Sequence, residues 1–176
     1  MAMSFHFTGK RATSDEKRFI KTMNDVVKEL NEFILGPVGE WKRERKRIEQ
    51  ICIHVQLAGQ TKVRSLNRQW RGKDRSTDVL SFALYEDLRR ERNLPGIVNL
   101  GDIVICREVA HRQARAHNLS FNEEALHLLA HGVLHLLGYD HERSETEERL
   151  MQKREERLVE AFYRHLRVNK KGKNNE

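Results

Sequence analysis

The segment His131-Gly-Val-Leu-His135-Leu-Leu-Gly138-Tyr-Asp-His141 carries three imidazoles at a spacing suited to one metal ion. Residues four apart share a helix face, so His131 and His135 can offer ring nitrogens to a common ion. Gly138 then ends the helix and lets the backbone turn, which allows His141 to fold back as a third ligand. Three neutral imidazoles around Zn²⁺ leave the fourth tetrahedral position open, the arrangement of a catalytic rather than a structural zinc site. A single pair of histidines four apart says little in a chain that has nine of them. The third histidine, with a glycine at the helix end, makes the set far more specific. The competing reading is a group of packed or exposed histidines that complement the dipole at a helix C-terminus.

The spacing matches the metzincin protease pattern His-Glu-x-x-His-x-x-Gly-x-x-His, except that Gly132 stands where those enzymes carry their general-base glutamate. Without that carboxylate, peptide hydrolysis by their route lacks a proton acceptor, so the same cage must serve other chemistry. Arg71, beside Gly72 in a polar run, reads from local sequence first as a loop cap, although a guanidinium can also pair bidentately with a phosphate and stabilise charge developing in phosphoryl transfer. His127, one turn before His131, reads as a packing residue or a support to a ligand rather than a ligand itself. His54, His111 and His117 read as ordinary structural histidines. Asp140 could orient an imidazole or stabilise the turn, and Asp102 could hold a loop.

These groups need a scaffold, and the pattern of the chain supplies one. Residues 3–8 suggest an opening strand. From Ser14, apolar residues recur at helical steps through Phe19, Met23, Val26, Leu30 and Ile34, until Gly36-Pro37 stops the helix. Ile51 to Leu57 alternates as a strand does. A short helix over 61–69 is expected to carry Val63, Leu66 and Trp70 toward the core. Strands follow at Asp78–Ala83 and Leu100–Cys106, separated by a charged loop or irregular hairpin arm from Glu86 to Val98. Arg107 to His117 is helical by composition. Ser120-Phe-Asn-Glu123 is a capping box that opens the metal-site helix, which runs through Leu136. A last helix covers about Glu145 to Leu166. Interspersed strands and helices predict an α+β fold, a single mixed sheet packed with helices.

At 176 residues the chain fits one domain, read as residues 1–176 with a core over about 51–160. The flanks are a helical N-terminal extension over 1–48 and a basic, flexible tail over 167–176. No run approaches the roughly 18 apolar residues of a membrane span. Met1–Phe7 lacks the apolar stretch of a secretory signal, so the cytoplasm is the expected compartment. Two cysteines, Cys52 and Cys106, cannot build a disulfide framework or a cysteine zinc site, and read as reduced buried thiols. The net charge of +7 favours polyanionic partners. Trp41–Arg47 and Arg164–Lys173 concentrate that charge, as solvated faces or as contacts to nucleic acid.

The histidine segment resembles the YbeY family of metal-dependent endoribonucleases, whose signature is similar to His-Gly-x-Leu-His-Leu-x-Gly-Tyr-Asp-His. Two further blocks agree: Leu66-Asn-Arg-Gln-Trp-Arg71-Gly-Lys-Asp-Arg-Ser-Thr-Asp-Val-Leu-Ser-Phe82 and Leu100-Gly-Asp-Ile-Val-Ile105. Gln113-Ala114 and His117 also fit. Ser76 replaces a common proline, and Asn118-Leu119 replaces a more glycine-rich turn. The resemblance implies one zinc ion per chain on His131, His135 and His141, with Arg71 as the essential catalytic arginine. It implies cleavage of single-stranded RNA in ribosomal RNA maturation, including the 3′ end of the small-subunit RNA, and in ribosome quality control. Partners would then be RNA, the small ribosomal subunit and assembly factors. An RNA- or ribosome-binding assembly factor with weak catalysis, or a metal hydrolase of another substrate class, are the alternatives.

Overall fold

The computed structural model of the chain describes residues 2–7, 12–35, 47–91 and 93–172. In order, the elements are β1 (Ala2–Phe7), α1 (Ser14–Leu35), β2 (Gln50–Ala58), α2 (Gln60–Arg71), β3 (Val79–Ala83), a 3-10 turn (Leu88–Arg90), β4 (Ile97–Cys106), α3 (Arg107–Ala116), α4 (Phe121–Leu136) and α5 (Glu145–Gly172). The strands make one mixed sheet in the order β1-β2-β4-β3, within the expected α+β class. β1 and β4 run parallel to β2, while β3 pairs antiparallel with β4, Val79 opposite Ile105 and Ala83 opposite Gly101. β3 is therefore an edge strand.

Side-chain periodicity explains how the layers meet. Along β2, Ile51, Ile53, Val55 and Leu57 are buried in alternation, the period-two signature of a strand. They join the main core with α1, whose Phe19, Met23, Val26, Leu30 and Ile34 are buried at three- and four-residue steps. The N-terminal helix is thus part of the same core as the sheet. α4 is buried along most of its length because the sheet, α1, α3 and α5 all pack on it. A smaller apolar cluster built from Val63, Leu80, Val104 and Val109 covers α2 and part of α3.

The start of α4 follows the sequence closely. Ser120 Oγ accepts from the Glu123 amide at 3.2 Å, and Glu123 Oε2 accepts from the Ser120 amide at 2.9 Å. In the turn before it, Asn118 has φ +56. Asparagine tolerates this left-handed conformation better than most residues, which accounts for its place in a turn that otherwise favours glycine.

Other expectations are corrected. Trp70 does not enter the core: Val63 is fully buried and Leu66 partly so, but Trp70 is 64% exposed. Its ring meets Phe82 of the edge strand at 6.0 Å between centroids and 67° between planes, and no described strand lies beyond β3 to cover the other side. β4 begins at Ile97, inside the segment expected to be a loop, and Leu88 and Leu94 of that segment are buried. α5 extends beyond Leu166 to Gly172. Gly36-Pro37 and residues 41–46 of the basic block lie outside the described residues, as do 173–176. No described helix is long and apolar enough to cross a membrane.

Candidate metal centre and its clefts

Helix α4 presents His131 and His135 one turn apart, and its C-terminus delivers His141. The helix ends in a Schellman motif: the Tyr139 amide donates to the Leu134 carbonyl and the Gly138 amide to that of His135, each at 3.0 Å. Gly138 sits at φ +93, and a β-carbon there would stand 2.6 Å from the Asp87 Cα. Both conformation and space therefore require glycine at this corner.

One ligand atom from each of His131, His135 and His141 lies within 4.8 Å of the others. The His131 and His135 Nε2 atoms are 3.0 Å apart. Two donors about 2.0–2.1 Å from one tetrahedral zinc ion stand about 3.3 Å apart, so the observed spacing is close to what such an ion needs. Burial pushes the His135 imidazole down to about 4, with the His131 and His141 rings and Arg71 adding to the effect against Asp140. His135 is thus neutral and ready to donate at pH 7. His131 turns Nδ1 toward Glu155 Oε2 of α5 at 3.0 Å, which leaves its Nε2 facing the cluster. His141 is exposed and marks the open side. The donor set fits a divalent ion with a taste for nitrogen ligands.

Two clefts meet at His131 and His141. One, of about 500 Å³, is lined by Arg71, Lys73, Asp78, Ser81, Asp140 and Glu142 with the three histidines. The other, of about 670 Å³, runs between α4 and α5 and carries Glu148, Glu155, Glu156 and Glu160. Four glutamates and no lysine or arginine line the second, which would repel a polyanion; the first has carboxylates too, but it is the one that offers cations, Arg71 and Lys73, to a phosphate.

Arg71 closes α2, ahead of Gly72 in the left-handed cap conformation. The loop beyond is tied down. Asn67, 2% exposed, donates through Nδ2 to the Arg75 carbonyl at 2.7 Å, and Arg64 grips Asp74 with two hydrogen bonds of 2.9 and 2.8 Å. Arg71 and Lys73 are thereby held on the cleft. Asp78 is also there. Burial tends to raise its pKa, yet hydrogen bonds from the Gln113 side chain, the Val79 amide and the Thr77 hydroxyl outweigh that and hold it below the ordinary carboxylate range.

The other titratable groups fall into structural roles. His127 Nε2 meets the Tyr163 hydroxyl at 2.7 Å and is not in the ligand cluster. His111 stacks on Phe121 at 4.2 Å, His117 faces Glu124 at 3.3 Å and His54 faces Asp102 at 3.4 Å. Asp140 accepts from the Glu142 amide at 3.0 Å and pairs with Arg143, so it stabilises the turn. Cys106 is buried, Cys52 is partly so, and both are free thiols.

Sequence reasoning missed two supports. The first is Glu155, 24 residues beyond His131, with no local signal. The second is a clamp on the 138–141 corner. Arg89 reaches Asp87 at 2.9 Å, Glu147 at 3.0 Å and the Gly138 carbonyl at 3.0 Å, with its guanidinium 4.4 Å from the centre of the Tyr139 ring. Gly132 also has a tertiary reason. A β-carbon there would meet buried Ile103 at 2.9 Å, so this position faces the sheet.

Comparison with known proteins gives the chain its family. The family model described as Endoribonuclease YbeY matches residues 10–163. A Persephonella marina protein named Endoribonuclease YbeY is 45% identical over 108 residues, covering 61% of this chain and 68% of its own. A Fusobacterium nucleatum protein of the same name is 33% identical over 162 residues, covering 92% and 96%. A Thermotoga maritima protein solved in solution superposes with a TM-score of 0.59 at 28% identity, covering 94% of this chain and 93% of that one. A match of this extent, in sequence and in fold, makes the chain a member of the YbeY endoribonuclease family.

Proposed function

We propose that the protein is a zinc-dependent endoribonuclease that cleaves single-stranded RNA, with His131, His135 and His141 as metal ligands and Arg71 as the catalytic phosphate-binding group. The observation that carries this reading is the convergence of three imidazoles on a cleft that also holds Arg71 and Lys73. A zinc ion bound there supplies Lewis acidity toward a phosphoryl oxygen and activates water near neutral pH. Arg71 pairs with the scissile phosphate and offsets charge that develops on it. Lys73 takes a neighbouring phosphate as a point charge. Glu155 fixes which nitrogen of His131 faces the ion. Position 132 has no carboxylate; those of the cleft are Asp78, held by hydrogen bonds from Gln113, Val79 and Thr77, Asp140, which accepts from the Glu142 amide, and Glu142 itself. Ribosomal RNA maturation in the cytoplasm, with the small subunit and assembly factors as partners and a part in ribosome quality control, belongs to the same reading.

The test pairs metal content by mass spectrometry with cleavage of a single-stranded RNA before and after chelation. About one zinc per chain is expected, with cleavage lost on chelation and restored by zinc. Zinc without chelation-sensitive cleavage would favour a binding factor instead, and a metal-free, fully active protein would overturn the reading. A 2′,3′-cyclic phosphate on the product would identify the ribose 2′-hydroxyl as nucleophile; a 3′-hydroxyl with a 5′-phosphate would identify water.

A further inference from the structure

Trp70 is a large apolar ring left mostly in water, 64% exposed, immediately before Arg71. Successive helical side chains diverge by about 100°. The Arg71 guanidinium accordingly lines the metal-site cleft, while the indole turns to Phe82 at the rim of edge strand β3. Phe82 holds it edge-on at 6.0 Å. The ring therefore has a fixed seat and an open side.

The surroundings define what that side would accept. Residues 60–75 contain Lys62, Arg64, Arg68, Arg71, Lys73 and Arg75 against a single acid, Asp74. Asp74 is already bound by Arg64. An aromatic ring on a segment whose cations outnumber its acids suits a polyanion that carries flat apolar rings. Single-stranded nucleic acid has that chemistry, because its unpaired bases stack on aromatic side chains while cations follow its backbone. A duplex keeps its bases stacked on each other and has none to offer.

We propose that Trp70 is a nucleobase platform, stacking one unpaired base of an RNA whose phosphates pass Arg71 and Lys73, and so contributing to the choice of single-stranded substrate. The proposal rests on the reading of the cleft as an RNA site. The test uses the zinc-loaded full chain and a fluorescein-labelled 2′-O-methyl oligonucleotide of twelve uridines, read by fluorescence anisotropy. A matched oligonucleotide with abasic positions is the second probe, and gels confirm that both stay intact. Trp70→Ala should weaken binding of the base-bearing probe by about 5- to 150-fold. It should leave the abasic probe unchanged, and Trp70→Phe should recover most of the loss. Equal loss on both probes would assign Trp70 a structural role and overturn the proposal. No loss on either would also overturn it, leaving the ring as a contact for a protein. Failure of the wild-type protein to bind either probe would remove the RNA reading itself, a result distinct from both.

Discussion

Arg71 and His135 line the same cleft but differ in what their loss should do. Arg71 is exposed and ends its helix, so Arg71→Ala should keep fold and zinc while cleavage falls by about 100-fold or more, the scale of losing one charge-stabilising group. His135→Ala should lose both metal and activity. Metal analysis beside cleavage rates checks the division, and normal cleavage by Arg71→Ala would remove its assigned role. Glu155 works one step back. A carboxylate that accepts from a ligand histidine fixes the ring and raises its basicity. Glu155→Ala is therefore expected to weaken zinc affinity about 10- to 100-fold in chelator competition, with Glu155→Gln in between. Unchanged affinity would mean that the 3.0 Å contact to His131 is incidental.

At the scale of elements, helix α4 does two jobs with neighbouring residues: His131 turns to the cleft and Gly132 to the sheet. A glutamate at 132 would be driven against Ile103 rather than toward the metal, so the protease base cannot be recovered by one substitution. Gly132→Ala isolates the packing. Alanine gains about 1 kcal/mol of helix propensity, but contacts of 2.9 and 3.0 Å with the Ile103 side chain must be relieved inside a closed core, at about 1–3 kcal/mol. The melting temperature should fall, by an amount equivalent to at most about 2 kcal/mol. A rise would show that Ile103 swings aside. The corner after α4 depends in turn on Arg89, which ties the 3-10 turn, α5 and the Gly138 carbonyl together.

For the molecule as a whole, that clamp sets part of the pH dependence of stability. Burial works to raise the Asp87 pKa, but the hydrogen bond and charge of Arg89 outweigh it and hold the carboxyl below its ordinary 3.8. Asp78 is lowered in the same way by Gln113, Val79 and Thr77. A folded-state pKa below the unfolded value gives stability that is present above about pH 4 and lost as pH falls through the lowered values. Urea midpoints should drop steeply below pH 4 in the wild type and less steeply in Asp87→Asn, which is already weaker at pH 7. Parallel curves would exclude Asp87 as a source. At the alkaline end, burial and then Glu123 and Glu124 push the Tyr163 phenol up to about 12. Its contribution is full below about pH 10 and lost as pH rises toward 12. The same scale shows how charge is arranged: Arg71 and Lys73 stand among the carboxylates of Asp78, Asp140 and Glu142 on one side of the histidines, and only carboxylates of α5 line the other.

What the sequence determined by itself is local. Four-residue spacing put His131 and His135 on one face, Ser120 and Glu123 formed the expected cap, and Gly138 formed the expected corner, because each depends on backbone geometry within a few residues. The strands were legible where alternation was clean, as in β2, and less so where a charged segment masked the start of β4. Only the tertiary structure decided the rest. Glu155 reaches His131 across 24 residues, and Arg89 reaches Gly138 across 49 and Glu147 across 58, contacts that no periodicity encodes. Trp70 fits the apolar step of its helix, yet among the described residues no strand lies beyond β3 to cover the ring. Spacing along the chain fixes which side chains share an element; which elements meet, and where the sheet stops, depends on strand order and packing between distant segments.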